Sequence, residues 1–427
     1  MTIFGMTVMN VRAQLSTPIS NWEELSNIKN DMTAWYHLTC DIEIPAGTQW
    51  LPIGKPATWS GSSNNDIVEF QGVLDGKGYS IKGLTIDKTK NDDHFPDAHF
   101  NFSALFGRLG FGAIVRNLGL EDVNIAGRDV CGAVGGVMYG QGTTAATGGY
   151  NGVTIENVFV TGSITGATEV GGIVGRSNNF PLNTIRNCYV NATVTANGET
   201  TTTAPPICAG GIVGCINTGW ELLIENVYAA GSVTSEGYAG GILGLANNSN
   251  NNGISPPLTI KNSAVVVDNI SGKLGSELFY YKNSTTTSPI LVTNSYGRND
   301  IDLPSVTGET LSLDVFLTRD FYENTLDWDF DAIWNIEEGV SYPVLFKATK
   351  TGLVNPEVNK CWNISTANNS IEVAATQPLF LAVYNIAGKT LFAAQVNGRV
   401  SIPANQGIYI LKLKSAGIEA VEKVIMK

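Results

Sequence analysis

Acidic side chains are the first candidates for chemistry in this sequence. Asp75 stands in Leu74-Asp75-Gly76, Glu121 and Asp122 are adjacent, and Glu156 and Glu225 recur inside apolar stretches. Asp92, Asp93 and Asp97 share a polar segment with His94 and His99, two of the three histidines. Two carboxylates on one face, about 5–9.5 Å apart, hydrolyse glycosidic bonds. Acids with histidines can hold a hard cation or zinc. Trp50, Trp59 and Trp220 are of the type that stacks on sugars, although packing is their commoner role.

Each of these has a plainer reading. Asp75 suits a turn between Leu74 and Gly76. Glu156 and Glu225 have Arg186 between them, which suggests a structural charge ladder. The spacing around Asp92–His99 matches no standard metal loop and reads as solvated polar chain. No His-Glu-x-x-His zinc motif, Gly-x-Ser-x-Gly elbow or phosphate-binding loop occurs. A net charge of −12 opposes polyuronate substrates, nucleic acid and anionic lipid. The expectation is therefore a protein that is not an enzyme, with no catalytic residue, no cofactor and no metal.

The elements that would position any such site come from a repeat. Asparagines fall at Asn117, Asn157, Asn187, Asn226, Asn262 and Asn294, and glycines at Gly132, Gly172, Gly211 and Gly241. The spacing fits two 15-residue halves, a 30-residue unit, interrupted by loop-like insertions. These contain Gly140–Thr143, Glu199–Thr203 and Asn247–Asn250. A fixed period with insertions is the mark of a solenoid. Each unit carries short apolar runs of β formers broken by Gly or Asn, such as Ile155, Val158–Val160, Ile164 and Ile173-Val174. These read as strands, about three per coil of a parallel β-helix.

In Ile-x-Asn the first and third residues would share a face in a regular strand. The middle residues are Arg116, Glu156, Arg186, Glu225, Lys261 and Thr293, alternating in sign over the first five. Stacked outward, they would be opposite-charge neighbours. The six asparagines would stack inward at a bend as a structural ladder, amide to amide. The glycines would serve corners, either through positive φ or through close approach of coils.

Val170-Gly171-Gly172-Ile173-Val174-Gly175, Ala209-Gly210-Gly211-Ile212-Val213-Gly214 and Ala239-Gly240-Gly241-Ile242-Leu243-Gly244 resemble the GLUG repeat. That repeat occurs in bacterial surface proteins, including adhesin-like proteins of gut Bacteroidetes and some immunoglobulin A peptidases. The resemblance covers most of residues 20–350 and speaks for architecture more than activity.

The start, Met1–Ala13, resembles the tail of a secretory signal, with Val11-x-Ala13 fitting a cleavage site before Gln14. Residues 1–19 are read as signal remnant and leader. No apolar run is long enough to span a membrane. Six cysteines permit disulfides on export, Cys208–Cys215 among them because they flank one glycine motif. Cys131, Cys188 and Cys208 more simply fill coil interiors.

Ser20–Ile28 reads as a short helix capped by Ser20 or Asn21, covering the first coil. The solenoid spans 20–350 and ends in an aromatic segment, Phe321-Tyr322, Trp328, Phe330 and Trp334, placed to cover the last coil. Residues 351–361 read as a linker. Residues 362–427 hold short strands at regular spacing, a small antiparallel sandwich of immunoglobulin-like type. Val383–Lys389 and Gly407–Lys412 resemble C-terminal sorting modules of Bacteroidetes secreted proteins.

The fold expected is all-β: a right-handed, single-stranded parallel β-helix with an N-terminal capping helix, then the C-terminal β-sandwich. The function expected is a secreted or outer-surface protein with an adhesin-like role, its partners a host or dietary glycan or a matrix protein. A glycoside hydrolase, a polysaccharide lyase and a non-catalytic glycan binder are the alternatives. Fold by itself decides none of these.

Overall fold

The computed structural model describes residues 16–54, 69–87, 101–139, 152–178, 183–199, 206–217, 222–247, 258–282, 290–303, 308–345, 362–367, 369–385, 389–415 and 418–426. The chain is all-β and divides into two compact units between Thr349 and Lys350. Residues 1–15 of the expected 1–19 leader, the Asp92–His99 segment, Trp59, Trp220, the 351–361 linker and most of the inserted loops lie outside the described residues, whereas Thr17–Ile19 of that leader is a strand paired with Trp35–Leu38.

Among the described residues, three parallel sheets and one short antiparallel pair, Trp334–Asn335 with Val344–Leu345, make the first unit. In the first sheet, Ile114–Ala126, Thr154–Gly166, Asn183–Ala196 and Leu222–Ser235 lie side by side in chain order. Between these strands the chain adds one strand to a second sheet and one to a third. The second holds Val130–Cys131, Glu169–Gly171, Cys208–Gly210 and Tyr238–Gly240 in succession. The third holds Gly135–Tyr139, Val174–Asn178, Val213–Asn217 and Leu243–Asn247. The register stacks like on like: Val115, Ile155, Ile185, Ile224 and Ile260 are level and fully buried. Each such side chain contributes roughly 1.5–3 kcal/mol by burial.

The asparagine of each Ile-x-Asn does not follow the strand alternation expected for it. All six have φ between 46° and 53°, the left-handed region. That bend resets the pleat. Ile155 and Val158 both point into the core, Glu156 points out, and Asn157 sits half-buried at the bend itself. Asparagine is among the few residues that adopt this conformation cheaply, because its amide bonds locally.

The N-terminal helix is shorter than its pattern. Trp22–Ser26 is α-helical, with the Glu24 N–H donating to Asn21 Oδ1 at 2.9 Å, and Asn27–Asn30 continues as a 3-10 turn. Leu25 and Ile28 join the main core beside Ile19, on the terminal strand Thr17–Ile19.

The aromatic segment after residue 311 takes a different place from the one expected. Phe316, Phe321, Tyr322, Trp328, Phe330 and Trp334 pack with Tyr189, Tyr228, Ala264 and Val266. These form a cluster separate from the main core, on the outward column of the first sheet. The segment therefore buttresses the side of the stack, while Ile301 and Leu303 pack against the end of the main core. The reason is a column two residues beyond each asparagine: Phe159, Tyr189 and Tyr228 stack at 5.2 and 5.0 Å and need covering. Tyr228 Oη donates to the Pro343 carbonyl at 2.8 Å, and Trp328 Nε1 to that of Asn262 at 2.8 Å.

The second unit is one hydrogen-bonded antiparallel sheet of five strands. Ser370–Asn385 is central. Thr390–Pro403 pairs along one side of it, and Trp362–Ala367 then Gly407–Ser415 along the other. Ile418–Met426 completes the sheet at Gly407–Ser415. Ile371, Val373, Leu379, Leu381, Leu411 and Leu413 make its core.

Candidate functional site

Two corners of the first unit collect its polar and reactive side chains. The first is the asparagine bend. Asn157 Nδ2 donates to Asn117 Oδ1 at 2.9 Å, Asn226 to Asn187 at 3.1 Å, and Asn294 to Asn262 at 2.9 Å. The buried Oδ1 atoms of Asn157 and Asn226 have no hydrogen-bond partner, so the amides run as three pairs.

Asp75 heads this row and also the charged one. It accepts from Asn117 Nδ2 at 3.0 Å, from Arg116 Nε at 3.0 Å and from the Lys77 N–H at 3.0 Å, and Lys77 Nζ lies 3.0 Å away. Burial pushes its carboxyl up, but the bonds from Asn117 and Lys77 and the Arg116 charge together hold it below the ordinary carboxylate value. Next in the column, Arg186 Nε donates to Glu156 at 2.8 Å and Lys261 Nζ pairs with Glu225 at 2.7 Å. Half-exposed pairs of this kind contribute about 0–1 kcal/mol each. The column sets alternation of charge, which is a register device more than a store of stability.

The second corner is the Gly-Gly turn between the second and third sheets. Gly132, Gly172, Gly211 and Gly241 are not at positive φ; close approach is their requirement. A Cβ on Gly172 would stand 2.1 Å from the Gly211 carbonyl oxygen, and one on Gly211 2.2 Å from that of Gly241. On the outer side of this turn, residues seven apart meet. Val130 packs on Val137, Arg176 is ion-paired with Glu169, and Cys208 packs on Cys215. Glu169 is fully buried, and burial pushes its carboxyl up against the pull of Arg176. Burial also pushes both thiols up, away from the thiolate a nucleophile needs.

The remaining candidates are placed as follows. Glu121 accepts from Ser80 Oγ at 2.6 Å and lies 3.7 Å from Lys82. Asp122 has φ of 54° and its N–H donates to Thr161 Oγ1. Trp50 is buried, its Nε1 donating to the Leu105 carbonyl at 3.2 Å, so it presents no face to a sugar. Ser16 Oγ and His37 Nδ1 are 2.9 Å apart, a contact of nucleophile–base type. The acid in register with His37 is Asp75, already held by Arg116, Asn117 and Lys77. Among the described residues no group of three or more His, Cys, Asp or Glu side chains is placed to hold a metal, and no helix is long and apolar enough to cross a membrane. An open cleft of about 470 Å³ lies between Tyr296, Phe321, Leu311, Asp314 and Asp320.

Glu169–Arg176 and the aromatic column were absent from the expected sites. The aromatic column has a signal in the sequence, since Phe159, Tyr189, Tyr228 and Tyr296 all follow a ladder asparagine by two positions. Glu169–Arg176 has a fainter one: a charged pair flanking a Gly-Gly motif at the spacing of Val130–Val137 and Cys208–Cys215.

No family model matches the chain. Halomucin of Haloquadratum walsbyi is 34% identical over 142 residues, 33% of this chain and 1% of that protein. A protein of Evansella cellulosilytica, provisionally named a Gly-rich membrane protein, is 28% identical over 193 residues, 36% of this chain and 19% of its own. The matches thus span a small part of either relative. A solved Bacteroides ovatus structure, provisionally named an immunoglobulin A1 protease, superposes with a TM-score of 0.57 at 21% identity. It covers 79% of this chain and 94% of that one, a likeness of fold.

Proposed function

We propose that this protein is a secreted or surface-exposed binding protein with an adhesin-like role, built on a right-handed GLUG-type parallel β-helix and an immunoglobulin-like C-terminal unit. The observation that carries the non-enzymatic part is the fate of four strand carboxylates. Asp75, Glu156, Glu169 and Glu225 are each paired with a cation of the same or the adjacent rung. A general acid or base must instead face a substrate. The surface-type names of the two relatives support the location. The stack acts as a rigid spacer, and its loops supply contact with a glycan or matrix protein.

A glycan-binding form of this reading is favoured by the cleft at Tyr296, a half-buried residue that lines it together with Asp314 and Asp320. Its volume falls within the range of small-ligand sites. The test is a screen of the full chain against plant glycans, mucin glycans and matrix proteins, scoring retention and product release together. Retention without products is the expected result, and Tyr296→Ala lowers glycan retention at least several-fold. Released sugars, unsaturated ends or cleaved immunoglobulin A would overturn the proposal, and so would failure to bind any surface in the panel.

A further inference from the structure

The outer side of the Gly-Gly turn repeats one geometry in three successive rungs. The first residue of each second-sheet strand faces the residue seven positions later, the third residue of the third-sheet strand that follows. In one rung the pair is Val130 and Val137, in the next Glu169 and Arg176, whose side chains touch, and in the next Cys208 and Cys215. The register puts Glu169 level with Cys208 and Arg176 level with Cys215. The cysteine side chains therefore point at each other as the ion pair's do. The two residues pack in one small cluster, and both thiols are free and fully buried in this structure.

We infer that Cys208 and Cys215 form a disulfide when the chain folds in the presence of a disulfide oxidant. A bridge needs Cβ atoms about 3.5–4.5 Å apart with converging vectors, and the observation that favours it is the packing of Cys208 and Cys215 in one cluster. The chemistry is thiol–disulfide exchange. The thiolate of one cysteine attacks a low-molecular-weight disulfide such as oxidised glutathione, releasing one thiol and leaving a mixed disulfide. The second cysteine then attacks the protein sulfur, expelling the other glutathione thiol and closing the bond. Two cysteine S–H bonds are lost and two glutathione thiols appear. Oxidation takes place before the rungs close, because the finished turn buries both sulfurs. The Glu169–Arg176 ion pair of the neighbouring rung does not depend on either thiol. The other rungs show why the device is local: valines and an ion pair fill the same positions without a covalent link.

The inference rests on this geometry and not on the proposed binding role, so either can fail alone. The full chain is refolded with oxidised and reduced glutathione, alkylated in denaturant without reductant, digested and mapped by mass spectrometry. The expected product is a peptide pair joined through Cys208 and Cys215, two hydrogens lighter than the free peptides, and absent from C208S and C215S. The closed loop is short, so the oxidised protein melts about 3 °C above the reduced one. A Cys131→Ser, Cys188→Ser double variant that keeps the link shows that the pairing is specific. Recovery of Cys208 and Cys215 as separately alkylated thiols, or linked to other cysteines, overturns the inference.

Discussion

The asparagine corner and the glycine corner turn the same chain by opposite means. At the first, a side chain stabilises the bend: Asn157 takes φ of 53° and its amide bonds to the rung before it. At the second, the lack of a side chain permits the bend, because the next rung's carbonyl occupies the space a Cβ would need. The first corner can be weakened by degrees, through its hydrogen bond or its φ. The second has no intermediate state, since the carbonyl oxygens 2.1–2.2 Å from a Cβ on Gly172, Gly211 or Gly241 cannot move without shifting the next rung. The asparagine corner is half-exposed and already holds two unpaired amide oxygens, on Asn157 and Asn226, whereas the glycine corner is buried.

Substitutions that break each corner should therefore differ in size. The largest effect is expected from Gly211→Ala, which drives a Cβ to 2.2 Å from the Gly241 oxygen and 2.6 Å from the Ala229 Cβ. A loss of about 4 kcal/mol or more is expected, read as the urea midpoint of the full chain. Next is Arg176→Leu, which leaves Glu169 buried without its cation, at about 3–5 kcal/mol. Asn157→Ala at the other corner should cost about 2 kcal/mol, since it loses both the amide bond and easy access to positive φ. Asn157→Gly keeps the backbone freedom and should cost about half as much. Equal losses from Ala and Gly would show that the amide, and not φ, governs this corner.

The smallest effect is one of pH. Asp75 has a folded-state value depressed below its ordinary 3.8. A depressed carboxylate contributes stability that is complete above the unfolded value and is lost as pH falls through the folded one. Asp75→Asn should therefore cost about 1–2 kcal/mol near pH 7, and the two unfolding curves should converge as the pH falls through the depressed folded-state value. Parallel curves down to that pH would mean that Arg116 and Lys77 do not depend on the Asp75 charge.

Much of the first unit was legible in the residues because its periodicity is written in rare positions. Asn117 to Asn294 mark one strand of every rung, and alternating charges from Arg116 to Lys261 fall in hydrogen-bonded register. The asparagines lie at a bend and bond amide to amide from rung to rung as expected, but in pairs, half-buried, and off the strand alternation. A strand rule assigns residues one and three to the same face, and a single left-handed residue breaks that rule without changing composition. The place of the aromatic segment was misread. Bulky residues after the last repeat fit an end cap equally well until Tyr189 and Tyr228 show where they are needed. Asp75 was read as a turn residue, yet it joins the amide row to the charged column through partners 41 and 42 positions away.

The sequence by itself determined what recurs: the strand type, the length of the unit, the order of charges along one column and the residues that fill the interior. Those follow from side-chain period and burial, which are local and additive. Only the tertiary structure decided which residues meet across the winding. Glu169 reaches Arg176, Cys208 reaches Cys215, and Trp328 reaches the carbonyl of Asn262. The physical reason is that a bend of one residue changes the face of everything after it. Contacts across a turn therefore depend on backbone angles that residue types allow but do not select.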